Sequence, residues 1–177
     1  MSSYILSAVI ILGVVNSTLA PAGAAAPRSR WRTASVPELK NVIPARAPVM
    51  KENIETEMRS ASGVTNGHGK FIAGALMITA GYSADGKYSH FFMTQVAIRI
   101  GSMELSASEY VIGYQRVNND TIRVTFYRAS SGEVVGDVEA HPNRKSSLVR
   151  SLLITAPAGG KGGIQIGRYV FDYSIVG

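Results

Sequence analysis

Apolar and polar residues alternate near the middle of the chain with the period of a β-strand. The alternation is clearest in the run Thr121-Ile122-Arg123-Val124-Thr125-Phe126. Residues 110–116 form a second run that is rich in β-forming residues, with Tyr or Ile at every second position. Between the runs, Asn and Asp residues predict a turn because they tolerate left-handed backbone angles. The pattern therefore predicts a β-hairpin within an all-β domain.

Short β-forming runs separated by turn residues continue through residues 61–177. Turn signals lie at 65–69, 82–87, 130–132 and 157–163. About eight strands with almost no helical periodicity predict a sandwich or barrel. The residue pattern alone leaves a sandwich, a jelly roll and a small barrel open.

The first 60 residues have a different composition. Residues 4–15 are nearly all apolar and small residues follow, which predicts a signal peptide over 1–26. The alternative is a membrane anchor, but the apolar run is shorter than the ~20 residues that span a bilayer. We therefore expect no membrane insertion after signal cleavage.

Residues 27–60 are basic and interrupted by prolines, and we predict that they form a propeptide or a flexible arm. Ser35 and Glu38 have the spacing of a capping box, which predicts a short helix that ends near Ile43. A weak amphipathic helix is predicted over 49–59, where apolar residues recur every four positions.

Charge and composition exclude several classes of protein. The chain carries a net charge of +6, but residues 61–177 hold eleven basic and eight acidic residues and no basic face, so no nucleic-acid partner is expected. The absence of cysteine excludes disulfides, thiol catalysis and cysteine-ligated metals.

A family resemblance is confined to residues 100–124. The matching residues are Ile100, Gly101, Ser102, Glu104, Leu105, Ile112, Gly113, Arg116, Val117, Asn118, Asp120, Thr121, Arg123 and Val124. In type and spacing this cluster resembles the fungal ToxA family of secreted, host-selective necrotrophic effectors. The resemblance implies a β-sandwich of fibronectin type III-like topology, a propeptide, and binding to a host (plant) protein. The mature ToxA domain closes a disulfide, which this chain lacks.

Candidate partner-binding residues lie in two short segments. One is the predicted hairpin turn, Asn118, Asn119 and Asp120. The other is Val135, Gly136 and Asp137, the nearest analogue of the Arg-Gly-Asp loop that ToxA uses for recognition and uptake into host cells. The Arg-Gly-Asp sequence itself is absent. Asn119 also begins an Asn-Asp-Thr sequon, which is a candidate N-glycosylation site in a secreted protein.

The remaining chemistry predicts no enzyme, cofactor or metal site. His68, His90 and His141 share no ligand-like spacing, and the chain has no Gly-x-Ser-x-Gly motif. We therefore expect a secreted, non-enzymatic, extracellular effector. The alternative is a viral or bacterial β-sandwich assembly subunit, matrix- or capsid-like, whose basic arm is residues 27–60. A third class, a small secreted hydrolase, would need a pocket that holds histidine and carboxylate together.

Overall fold

The computed structural model describes residues 31–145 and 147–176, and it confirms the all-β class. The elements are β1 (Arg32–Thr33), α1 (Val36–Val42), β2 (Arg46–Val49), β3 (Glu52–Thr65), β4 (Phe71–Met77), β5 (His90–Thr94), β6 (Ile98–Ile100), β7 (Met103–Leu105), β8 (Ser108–Asn118), β9 (Thr121–Arg128), β10 (Val134–Pro142), β11 (Arg150–Ile154), β12 (Gly162–Gly167) and β13 (Tyr169–Ile175). The predicted signal peptide lies outside the described residues. Among the described residues, no helix has the length and apolar character to cross a membrane.

The strands form one antiparallel sheet that curls into a nearly closed barrel. The strand order is β1-β3-β4-β5-β8-β9-β10-β13-β12-β11, with β2 on β3 and the short β6–β7 pair on β13. The two ends of the sheet meet at a seam, where the backbone N–H of Ile154 on β11 donates to Ser62 Oγ on β3 over 2.8 Å. A side chain therefore joins the edges at this point.

The predicted central hairpin is confirmed. Strands β8 and β9 pair from Tyr110 opposite Arg128 to Asn118 opposite Thr121. Ile112 and Phe126 face each other inside the barrel, where both are fully buried. The alternation in the sequence thus identified the buried face of β9, whereas in β8 the residues 110–113 are buried on both faces and Tyr114 is exposed.

The barrel interior is filled by large aliphatic and aromatic side chains. Phe92 and Phe126 meet edge to face with ring centroids 5.6 Å apart, and Phe126 meets Phe171 in the same way at 6.1 Å. These three rings come from β5, β9 and β13, so they link opposite walls of the barrel. Edge-to-face pairs stabilise a core beyond the apolar area that they bury.

A second hydrophobic core lies on the outer face of the sheet, beneath residues 32–60, which we call the N-terminal segment. Its buried side chains are Ala34, Leu39, Ile43, Ala47, Val49, Ile54, Ala73, Ala75, Met77, Ala84, Tyr88, Phe91, Met93, Val111 and Ala129. The first six belong to residues 32–60, and most of the others belong to β4, β5 and β8. The N-terminal segment thus covers a sheet face that would otherwise be apolar and exposed.

Helix α1 forms where the capping box predicted it. The backbone N–H and the hydroxyl of Ser35 both donate to Glu38 Oε2 over 2.8 Å. The Arg32 guanidinium donates to both oxygens of the same carboxylate, and this bond is the main cause that lowers the pKa of Glu38 to about 2. The same helix buries Leu39 against the sheet.

The helix predicted over 49–59 is wrong, because these residues end β2 and begin β3. Ile54 and Thr56 are buried while Asn53 and Glu55 are exposed, which is the period of a strand. A spacing of four residues is also a multiple of two, so the apolar positions fit either structure. Strand β3 runs through residue 60, so the predicted propeptide forms part of the sheet; its removal stays a prediction.

Candidate partner-binding surface

The β8–β9 turn is held in place from outside the hairpin. Asn118 Oδ1 accepts a hydrogen bond from the backbone N–H of Asp120, which closes the turn locally. The carbonyl oxygen of Asn119 accepts from the Arg168 guanidinium over 2.9 Å and from the Tyr169 hydroxyl over 3.3 Å. The start of β13 thus fixes the conformation of a turn whose side chains are exposed.

His141 continues this surface from the turn to β10. Its Nδ1 lies 3.4 Å from Thr121 Oγ1 and 3.4 Å from the carbonyl oxygen of Asp120. His141 is exposed whereas Thr121 is buried. The imidazole therefore sits at the border between the hairpin turn and the loop that follows β10.

The loop after β10 is anchored by a buried glutamine that the sequence analysis missed. Gln165 on β12 accepts a hydrogen bond from Asn143 Nδ2 over 3.1 Å. Its own Nε2 donates to the carbonyl oxygens of Leu148 and Gly167 over 2.6 and 2.9 Å. One side chain therefore holds both ends of a loop that contains Arg144 and Lys145. A polar residue between Ile164 and Ile166 was the only available signal.

A groove of about 590 Å³ lies between this loop and the outer face of β10, β13, β12 and β11. The strand register aligns Val170 with both His141 and Gln165, and Gln165 with Leu153, so these side chains form one row of the floor. Asp172 and Gly163 face each other in the next row. The first row therefore mixes the apolar Leu153 and Val170 with the polar His141 and Gln165, and the second row carries the carboxylate of Asp172.

The rim of the groove is charged. Arg144 and Lys145 are exposed on the loop side, and Asp120 lines the groove from the hairpin turn. We call the turn 118–120, the groove and its loop the end surface. It combines both signs of charge with a floor of mixed apolar and polar side chains.

The second candidate segment lies apart from the end surface. Gly136 and Asp137 pair with Phe126 and Thr125, next to a bulge in β10, whereas Asn118 pairs with Thr121. Thr121 and Thr125 are four positions apart on β9, which is about 13 Å along a strand. The structure therefore does not bring the two predicted segments together.

The side chains of this second segment are engaged in the fold. Val135 is half-buried and packs on the interior core. A Cβ on Gly136 would lie 2.7 Å from Met103 Sδ, so this position closely faces a side chain of β7. Asp137 lies 3.7 Å from Arg123 Nε across the β9–β10 pair. Of the three residues only Asp137 is exposed, and its partner Arg123 belongs to the same chain.

Asn119, the candidate glycosylation site, has an exposed side chain at the tip of the turn. Its main-chain oxygen, rather than the side chain, makes the contacts with Arg168 and Tyr169. A glycan on the side-chain nitrogen would therefore leave those bonds intact and would cover part of the end surface. Glycosylation itself stays a prediction.

The three histidines are widely separated. His68 is exposed in the β3–β4 loop, His141 is on the end surface, and His90 is buried in β5. Within the described residues, no three or more His, Asp or Glu side chains lie together as a set that could hold a metal ion.

His90 connects β5 to β11. Its Nε2 lies 3.0 Å from the carbonyl oxygen of Ser151, and its Nδ1 lies 2.8 Å from Ser89 Oγ. The side chain is only 2% exposed. Burial lowers the pKa of His90 to about 4, although the bond to Ser151 opposes that shift. A neutral imidazole that donates from Nε2 to Ser151 and accepts from Ser89 satisfies both contacts.

We expect Gln165→Ala to release the loop that carries Arg144 and Lys145. The substitution removes three hydrogen bonds of a buried group and should lower the free energy of unfolding by about 1–3 kcal/mol. Limited trypsin digestion should then cut after Arg144 or Lys145 at least tenfold faster. Gln115→Ala, at an exposed position of β8, is the control. Unchanged cleavage of the Gln165 variant would show that the loop is held by other contacts.

Comparisons of the chain with protein families, with curated proteins and with solved structures find no match. The resemblance of residues 100–124 to ToxA therefore stays a prediction.

Proposed function

We propose that this chain is a secreted, non-enzymatic effector of the ToxA type that binds a host plant protein through the end surface. The observation that carries the proposal is the external bracing of two exposed loops. Arg168 and Tyr169 fix the turn at Asn119, and Gln165 fixes the loop around Arg144. Both loops present exposed polar side chains beside residues that are held by hydrogen bonds from outside the loop.

Preordered loops favour binding because association then orders few additional groups. Each side chain or loop that must be fixed on binding lowers the affinity, so bracing within the free protein supports a recognition role. The charged rim of Arg144, Lys145 and Asp120 would set the orientation and specificity of a partner. The apolar floor at Leu153 and Val170 would supply the buried centre of such an interface.

We also propose that the barrel-like sheet corresponds to the β-sandwich of fibronectin type III-like topology that the resemblance implies. Strand β10 supports this interpretation because its two halves pair with different neighbours, β9 and β13, on the two sides of the barrel. It pairs with β9 from Val134 to Ala140, but it pairs with β13 only at His141 and Pro142. A strand that crosses from one wall to the other is a normal corner of a two-layer sandwich.

To test this proposal, the full chain is expressed in a eukaryotic host and the protein that the host secretes is purified. Infiltrated into leaves of several plant genotypes, the protein should cause electrolyte leakage in some genotypes and not in others. Arg144→Glu with Lys145→Glu should raise the dose for half-maximal leakage at least tenfold, because both charges on the rim are reversed. N-terminal sequencing of the secreted product should show that residues 1–26 are gone.

A matched control reverses two exposed lysines that lie outside both the end surface and the predicted propeptide, Lys70→Glu with Lys161→Glu. This double variant should retain the leakage response, and both double variants should keep the thermal midpoint of the parent protein. Absence of leakage in every genotype, or equal loss of response in the two double variants, would contradict the proposal. An N-terminus at Met1 would contradict secretion through a cleaved leader.

A further inference from the structure

Strand β8 lies between β9 and β5, and it extends beyond the end of β5. It pairs with β5 only from Ser108 opposite Thr94 to Ile112 opposite His90. It then continues to Asn118 with β9 as its one partner. Within the described residues, no strand pairs with residues 113–118 on the side away from β9. This stretch is an open strand edge six residues long, which we call the β8 edge.

The hydrogen bonds at the base of the hairpin show where the backbone groups of the β8 edge point. Ala129 N–H on the β9 side donates to the carbonyl oxygen of Glu109, and Ser89 N–H on the β5 side donates to that of Ile112. Successive residues of a strand direct these groups to opposite sides. The backbone groups of odd-numbered β8 residues therefore point towards β9, as far as the register shift between Arg116 and Asn118. Tyr114 and Arg116 direct their N–H and C=O groups to the open side.

A groove of about 360 Å³ adjoins the β8 edge. Tyr114 forms one wall, and the opposite wall comes from the end of β4 and the segment before β5, including Leu76, Lys87 and Ser89. Tyr114 is 49% exposed and Val117, farther along the edge, is 48% exposed. A strand that paired with Tyr114 and Arg116 would place a side chain over this groove.

The charged side chains on the β8 edge and in the lining of its groove, Arg116 and Lys87, are positive. Arg116 is exposed on the edge itself. Lys87 lines the groove, and its ammonium nitrogen lies 4.9 Å from the centre of the Tyr88 ring and 5.4 Å from that of Tyr127. Asp85 is not among the residues that line the groove, and its carboxylate accepts a hydrogen bond from Thr79 Oγ1 over 3.3 Å. A second copy of this chain would bring the same positive charges to the edge, whereas an acidic segment would neutralise them.

We infer that the β8 edge binds an extended segment of a partner protein by strand addition, with a large apolar residue of that segment in the Tyr114 groove and carboxylates beside Lys87 and Arg116. Main-chain hydrogen bonds give affinity in this mode of recognition, and alternate side chains give specificity. The β8 edge shares only Asn118 with the end surface, and the residues that would contact the segment, Tyr114, Arg116 and Lys87, lie outside it. The inference does not require that the protein be secreted.

The experiment selects binders from a random library of nine-residue peptides displayed on phage, with the full-length protein as bait. Enriched peptides should carry an aromatic or large aliphatic residue flanked by Asp or Glu. N-methylation at alternate residues of the best synthetic peptide should weaken its binding at least tenfold, because it removes donors to the edge. Arg116→Pro, which deletes an N–H on the open side, should have the same effect on the unmodified peptide.

Two further substitutions keep the test valid if Arg116→Pro does not fold. Tyr114→Ala should weaken binding at least fivefold, and Lys87→Glu should do so for acidic peptides. The matched controls are Val134→Ala, which removes a 59% exposed apolar side chain elsewhere, and Lys161→Glu. The inference is overturned if no peptide is enriched, or if the N-methylated peptide binds as well as its parent. Equal binding to the Tyr114 and Val134 variants, or displacement of every peptide by dimerisation of the chain, would also overturn it.

Discussion

A chain that begins at residue 61 should fail to fold, whereas one that begins at residue 31 should unfold in a single cooperative transition. The shorter chain lacks the first nine residues of β3 and all of β1, α1 and β2. It also lacks the buried side chains of Leu39, Ile43, Val49 and Ile54. Loss of each such side chain costs about 2–5 kcal/mol, so the sum approaches or exceeds the ~5–15 kcal/mol stability of a typical domain.

Circular dichroism and chemical denaturation of the two chains measure this difference. Ile54→Ala in the longer chain provides a graded version and should lower the free energy of unfolding by about 2–5 kcal/mol. The control is Val36→Ala, because Val36 is 64% exposed on α1. Equal thermal midpoints for the two chain lengths would show that residues 32–60 are dispensable. The predicted propeptide would then be removable without loss of the fold.

The protein should lose stability as the pH falls from 6.5 towards 4, because His90 is buried in its neutral form. In the unfolded chain a histidine gains a proton near its ordinary pKa of about 6.5, but in the folded protein the pKa of His90 is about 4. Protons therefore bind the unfolded state first within this window. His90 leaves the free energy of unfolding unchanged above pH 6.5. Between pH 6.5 and 4 the free energy of unfolding falls by about 3 kcal/mol in total, and His90 lowers it no further below about pH 4.

Denaturant midpoints at pH 7.5, 6.0 and 4.5 measure this effect in the parent protein and in His90→Gln. The difference in unfolding free energy between the two proteins should shrink as the pH falls, because only the parent carries His90. His68→Gln, in the exposed β3–β4 loop, serves as the matched histidine control. A constant difference between the parent and the His90 variant across the three pH values would contradict the burial argument.

The parts of the fold that local chemistry determines could be predicted from the sequence. The alternation in residues 121–126 identified strand β9 and its buried face, and Asn118 closes the turn as its side chain predicts. The Ser35–Glu38 capping box likewise identified the start of α1. In these cases the residues that decide the structure lie within a few positions of one another.

The parts that depend on distant partners could not be predicted. Residues 32–60 look too sparse in apolar residues to form a core, because the other half of that core comes from β4, β5 and β8. The role of Gln165 is equally hidden, since its partners Asn143 and Leu148 are separated from it by 22 and 17 residues. The separation of Asp137 from Asn118 likewise depends on the register of β9 with both neighbours.

The outer core has a consequence for biosynthesis that follows from chain order. Strands β4 and β5 are buried on both faces, and their sequences FIAGALM and HFFMT are apolar runs that would aggregate if left uncovered. The segment that shields their outer face precedes them in the chain. During synthesis from the N-terminus it emerges first, so the cover is already present when these strands leave the ribosome. A circular permutant that moved this segment to the C-terminus would reverse that order.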